Sequence, residues 1–164
     1  MRQKIMPFPF LRIFLVSLTL VLLAGDLAPS QEAPAASNDS TASPVGRWKT
    51  IDDRTGKPRG IVDLREENGK LYGTVESLFD PPVPNPTCYL CSGDLKDRPV
   101  VGMQVLWGLE KVGNQWAGGQ VIDPETGKSY RVSIVLEDGG KKLRLRGYVL
   151  MPMFGRTQHW TRVE

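Results

Sequence analysis

Charge of one sign never accumulates in this chain. Lys and Arg number 21, Asp and Glu 18, giving a net charge of +3 over 164 residues, and the two signs are interspersed. A nucleic-acid surface needs a concentrated basic stripe with aromatics among it, so that class of partner is excluded. Histidine occurs once, at position 159. A lone imidazole beside Thr157 and Thr161 lacks the nucleophile and orienting acid that catalysis requires. Cysteine occurs twice, too few for a thiolate zinc site without two further ligands. No apolar run reaches the roughly 20 residues that a membrane-spanning helix needs. No segment holds a 3.6-residue period, so little helix is expected.

What the chain does have is alternation. Tyr130, Val132, Ile134 and Leu136 share one parity, against Arg131, Ser133, Val135 and Glu137. After Asp138-Gly139-Gly140 the beat resumes, with Leu143, Leu145 and Gly147 against Lys142, Arg144 and Arg146. A period of two marks strands with one buried and one wet face.

The beginning of the chain is different. Met1, Arg2, Lys4 and Arg12 precede an uncharged stretch from Ile13 to Ala24, the pattern of a secretory signal over residues 1–25. Residues 26–44 are rich in Ala, Ser and Pro and cannot bury enough surface to offset their ordering entropy, so they read as a disordered tether. One domain is expected over residues 45–164, exported to the periplasm or secreted, with no membrane span once the signal is removed.

Eight strands are expected in that domain: Gly46–Thr50, Gly60–Glu66, Lys70 to about Phe79, Gly102–Lys111, Gln115–Asp123, the two described above, and Arg156–Val163. Asn68-Gly69 and Gly113-Asn114 supply tight hairpin turns. A long proline-rich connection, Asp80–Arg98, separates the third and fourth strands. Short antiparallel strands joined in sequence suit an all-β, eight-stranded up-and-down barrel, because closure removes exposed edges. A β-sandwich is the alternative; it usually needs crossing connections that this order does not suggest.

Gly46-Arg47-Trp48 resembles the Gly-x-Trp signature of lipocalins. That likeness implies that Trp48 closes the barrel floor and that a basic residue near the chain end, Arg162 ahead of Arg156, packs over it. A broader set is similar to the bacterial domain-of-unknown-function family 2147. It comprises Gly46-x-Trp48, Pro99-Val100-Val101-Gly102, Trp116-x-Gly118-Gly119, Asp123-Pro124 with Gly127-Lys128-x-Tyr130, Arg146-Gly147-Tyr148, and Phe154-Gly155-Arg156-Thr157-Gln158-x-Trp160. The resemblance implies a small, exported, lipocalin-like envelope protein with no assigned activity.

Cys88-Tyr89-Leu90-Cys91 reads as a disulfide stiffening the long loop, since exported cysteines are usually paired. A thiol-exchange motif would sit at a helix N-terminus, and none is indicated here. Asp52-Asp53 and Glu66-Glu67 are neighbours, which in a strand point to opposite faces and make no acid–base dyad. Thr55-Gly56-Lys57 and Thr126-Gly127-Lys128 repeat a tripeptide as two turns with similar needs.

If Trp48 points inward, parity places Met103, Val105, Trp107, Trp116, Gln120, Tyr130, Gln158 and Trp160 inside as well. Gly73, Gly118 and Gly147 would leave room among them, or mark bends in the wall. Buried amides need partners, so Trp107, Trp116, Gln120, Tyr130, Gln158 and Trp160 are the candidate ligand-binding residues. The expectation is a binding protein, not an enzyme, that takes a small, partly apolar lipophilic molecule without a cofactor or metal. The rival expectation is an envelope protein with a solid core that docks a protein partner through the apolar Met151–Phe154 loop.

Overall fold

A computed structural model describes residues 42–164. The expected leader lies outside the described residues, as does the expected tether through residue 41. The strands run Gly46–Ile51 (β1), Pro58–Glu67 (β2), Lys70–Leu78 (β3), Gln104–Val112 (β4), Gln115–Asp123 (β5), Lys128–Glu137 (β6), Lys142–Tyr148 (β7) and Arg156–Arg162 (β8). Each is antiparallel to the next, and β8 returns to β1 through Trp48↔Arg162 and Lys49↔Thr161. This is a closed up-and-down barrel and not a sandwich. Helix among the described residues is limited to three 3-10 turns, and no described helix is long and apolar enough to cross a membrane.

Strand parity is interrupted at two glycines. Gly118 has φ +86, and the β5–β6 register slips between Ala117 and Gly119. Such a bulge adds one residue and turns every later side chain to the other face. Gly119, not Gly118, is therefore buried against Leu109, and Gln120 is exposed. Gly108, at φ +75, sits beside a matching slip in the β3–β4 register, where Leu71↔Leu109 gives way to Gly73↔Leu106. Leu106 and Leu109 are fully buried while Trp107 is half-buried. The inward placement expected for Trp107 and Gln120 thus fails for one reason. Period-two counting assumes an unbroken ladder, and β4 and β5 both break theirs.

The connections alternate between the two ends of the barrel. β2–β3, β4–β5 and β6–β7 are tight and lie at one end. The other four lie at the opposite end and include the long β3–β4 segment.

At the tight end the barrel is plugged. Trp48 is fully buried and its indole N–H donates to the Pro44 carbonyl at 2.8 Å. The Arg162 guanidinium stacks on this indole, 4.3 Å from the ring centre. It also donates to three carbonyls, of Gly140 at 2.7 Å, Val45 at 2.9 Å and Ser43 at 2.7 Å. Residues 43–45 are thereby held across the floor, and Pro44 is fully buried. Gly46 has its place in the same contact: a Cβ there would lie 2.9 Å from Arg162 Nη1, so any side chain would push the guanidinium off the indole.

Arg162→Ala removes the cation–π contact and leaves three carbonyls without their donor. Urea unfolding should register a loss of about 2–4 kcal/mol. Arg162→Lys should recover less than half of it, since an ammonium cannot reach three divergent acceptors while stacking on a ring.

Candidate functional site

The long-loop end opens onto a cavity of about 1610 Å³, mouth included. Its inner wall is apolar: Val62, Val75, Val121, Leu145 and Trp160 all line it. One wall position adds to this space by carrying no side chain. A Cβ built at Gly147 would meet Tyr130 and Val121 only at 3.6–4.0 Å, ordinary contact distances. Gly73, by contrast, leaves no room, since its Cβ would lie 2.8 Å from Leu64 Cδ2 and 3.1 Å from Leu106 Cβ.

Of the six candidate ligand-binding residues, the structure brings three together. Tyr130, Gln158 and Trp160 line the cavity from β6 and β8. The Trp160 indole N–H donates to Gln158 Oε1 at 3.2 Å. Trp116 is buried but lies at the plugged end, beside a crevice it shares with Ala42, Ser43 and Pro44. Trp107 and Gln120 face each other across β4 and β5, off the cavity lining. The expected convergence of four indoles on one interior is therefore replaced by a division, with Trp48 and Trp116 toward the floor and Trp160 in the cavity wall.

The mouth is ringed by charge that sequence reasoning passed over. Asp52 and Asp53 do not alternate across a strand, because β1 ends at Ile51. Asp52 instead accepts from the backbone N–H groups of Arg54 (2.8 Å) and Thr55 (3.0 Å) in the turn and from Arg59 at 3.3 Å. Those turn amides, then Arg54 and Arg59, hold its pKa below the ordinary carboxylate value. Asp53 receives a two-pronged contact from Arg156, which lowers the Asp53 pKa and raises that of Arg156. The second rim turn repeats the first. Asp52-x-x-Thr55-Gly56-Lys57 and Asp123-x-x-Thr126-Gly127-Lys128 each close with a glycine N–H donating to the aspartate carbonyl, at 2.7 Å and 2.8 Å.

An ion pair joins these two turns. Arg59, at the start of β2, meets Glu125 in the β5–β6 turn. Those hairpins stand on opposite sides of an eight-strand ring, so the pair bridges the opening. Among the residues lining cavity and mouth, the cations Lys49, Arg54, Lys57, Arg59 and Arg156 are matched in number by the anions Asp52, Asp53, Asp80, Asp123 and Glu125. The lining has no net formal charge.

The Asp80–Arg98 loop completes the rim. Phe79, Pro82, Val83 and Tyr89 border the cavity, and Cys88 and Cys91 form a disulfide with Cα atoms 5.3 Å apart. Cys88 Sγ lies 3.2 Å from the Pro124 carbonyl oxygen, and Leu90 abuts Gly127 so closely that a Cβ there would collide with its carbonyl. The stapled loop is thus docked on the β5–β6 turn. His159 lies away from this site. Its ring is more than half exposed, with Nε2 3.9 Å from Glu137.

A profile of a bacterial family described as "uncharacterized protein conserved in bacteria (DUF2147)" matches residues 46–162. Among solved structures, the chain is similar to protein HP1028 from Helicobacter pylori, described as belonging to the lipocalin family. Identity is 27%, with 76% of this chain and 85% of that one covered, at a TM-score of 0.66. No curated protein sequence matches significantly.

Because the folded Asp53 pKa is depressed, its ion pair with Arg156 adds stability above the unfolded value near 3.9. That stability is lost as pH falls through the lower folded value. In urea titrations stepped from pH 5 to pH 2.5, Asp53→Asn should lose less stability than the parent chain. Equal losses would show that the pair contributes nothing.

Proposed function

The chain belongs to the DUF2147 family, and on a barrel of lipocalin type we propose that it is an exported binding protein that holds a small, partly apolar molecule in the cavity. The observation that carries this reading is the asymmetry of the barrel. One end is plugged by Trp48, Arg162 and residues 43–45, while the other leads to an apolar, tryptophan-lined space behind a polar rim. Ligand pockets commonly combine apolar walls with a few polar groups that fix orientation. Tyr130, Gln158 and Trp160 are the residues proposed to touch the ligand. The proposal includes no catalytic role: the cavity offers shape and hydrogen bonding, and the rim carboxylates of Asp52, Asp53, Asp123 and Glu125 are engaged with turn groups and arginines. The Cys88–Cys91 disulfide and the leader-like opening support a location in the periplasm or outside the cell.

A second reading has its own observation. In the β7–β8 connection, Val149, Leu150, Met151, Met153 and Phe154 are 51–79% exposed. An uncharged lip of this kind is a contact surface for an envelope protein partner.

Native mass spectrometry of protein purified from its own host should reveal a small-molecule adduct. Gly147→Leu, whose Cβ meets its neighbours only at ordinary contact distances and whose side chain would extend into the cavity, should abolish it without loss of secondary structure. A clean apo mass in the parent, with no uptake of a neutral apolar dye, would sink the binding reading. For the second reading, a defined partner should co-purify with the parent and be lost from Phe154→Ala.

A further inference from the structure

The same cavity says more about its occupant than that it is apolar. Trp160 Nε1–H is a donor only, so the Gln158 side chain must present Oε1 to it. The amide cannot turn over without setting N–H against N–H. Its NH2 group is consequently directed away from Trp160, and among the described residues it has no protein acceptor. The Tyr130 hydroxyl, on the neighbouring wall, likewise has no protein partner among the described residues. Gly147 lies between them on β7: Val132↔Gly147 joins it to β6 and Gly147↔Arg156 to β8. The inner wall thus offers hydrogen-bond donors beside an unfilled position. One charged residue shares that face, Arg156, which pairs with Gly147 at the rim end of β8 and is turned onto Asp53. Arg59, also at the rim, is engaged by Asp52 and Glu125.

Resting on the reading of this cavity as a ligand site, we propose that the ligand is an uncharged, extended apolar molecule bearing a hydrogen-bond acceptor of the ketone or ester type. That acceptor enters first and meets Gln158 Nε2 and the Tyr130 hydroxyl, in the space left by Gly147. An ionised head group is selected against. A carboxylate carried to the wall would leave water for donors that are only neutral. A carboxylate kept at the rim would have to compete with Asp52, Asp53 and Glu125 for their arginines, or pair with Lys49 or the exposed Lys57, where a solvated ion pair contributes little. An ammonium head would find a donor, not an acceptor, at Gln158.

The test is competition against the neutral dye N-phenyl-1-naphthylamine at pH 7 with four ten-carbon probes: 2-decanone, decanoate, decylamine and decane. The ketone should displace dye at concentrations at least about tenfold below those needed for decanoate or decylamine. Gln158→Leu should cut its advantage over decane by about tenfold, the scale of one lost hydrogen bond, with decane itself unchanged. Gln158→Glu keeps the acceptor for Trp160 and the side-chain volume, and should produce the same loss. Decanoate or decylamine binding as well as the ketone would overturn the neutral-acceptor assignment while leaving a binding protein. So would a ketone-to-decane ratio unmoved in both variants. Failure of the dye and all four probes to bind the parent chain would overturn the binding reading itself.

Discussion

Closure of a barrel requires a last strand to find the first, and here that seam is short. β8 meets β1 at two register positions, against eight for β2 and β3. What makes the closure hold is Arg162. It sits in one of those two pairs, lies over Trp48 of the other strand, and reaches the carbonyls of Ser43, Val45 and Gly140. A single guanidinium thus joins the seam, the floor and the β6–β7 turn. With the floor fixed this way, the large cavity lies toward the other end, the face proposed to take a ligand.

The open end is organised differently. Its order comes from two hairpin turns with one repeated solution, an aspartate whose carbonyl receives a glycine N–H four residues on. The rim pairs that decorate these turns carry exposed or half-exposed groups, where individual ion pairs contribute little to stability. Their arrangement matters more as geometry. Arg59–Glu125 and Arg156–Asp53 tie β2 to the β5–β6 turn and β8 to the end of β1. Three hairpin ends, β1–β2, β5–β6 and β7–β8, are thereby held around one aperture.

Much of this was legible from residue order wherever strands are regular. In β6 and β7 period-two counting places Val132, Ile134, Leu143 and Leu145 inside, and all are buried. In β4 and β5 the same counting fails at Trp107, beside Gly108, and at Gln120, after Gly118, since a bulge leaves no trace in hydrophobicity. The Gly118-Gly119 pair was the available signal: two glycines in a strand are poor packers and mark a break. The wall residues Tyr130, Gln158 and Trp160 were legible because β6 and β8 are unbroken near them. The rim was not. Asp53 and Arg156 are 103 positions apart, and Asp52-Asp53 reads as an ordinary strand doublet until β1 is seen to stop one residue earlier.

Strand number and closure have one more effect. With eight strands, an even number, β1 starts and β8 finishes at the same rim, the plugged one, and Ala42 and Val163 flank it. A reporter, affinity tag or surface linker fused at the carboxyl end would therefore leave from the base of the cup. Immobilised by that end, the molecule would present its aperture outward and unobstructed.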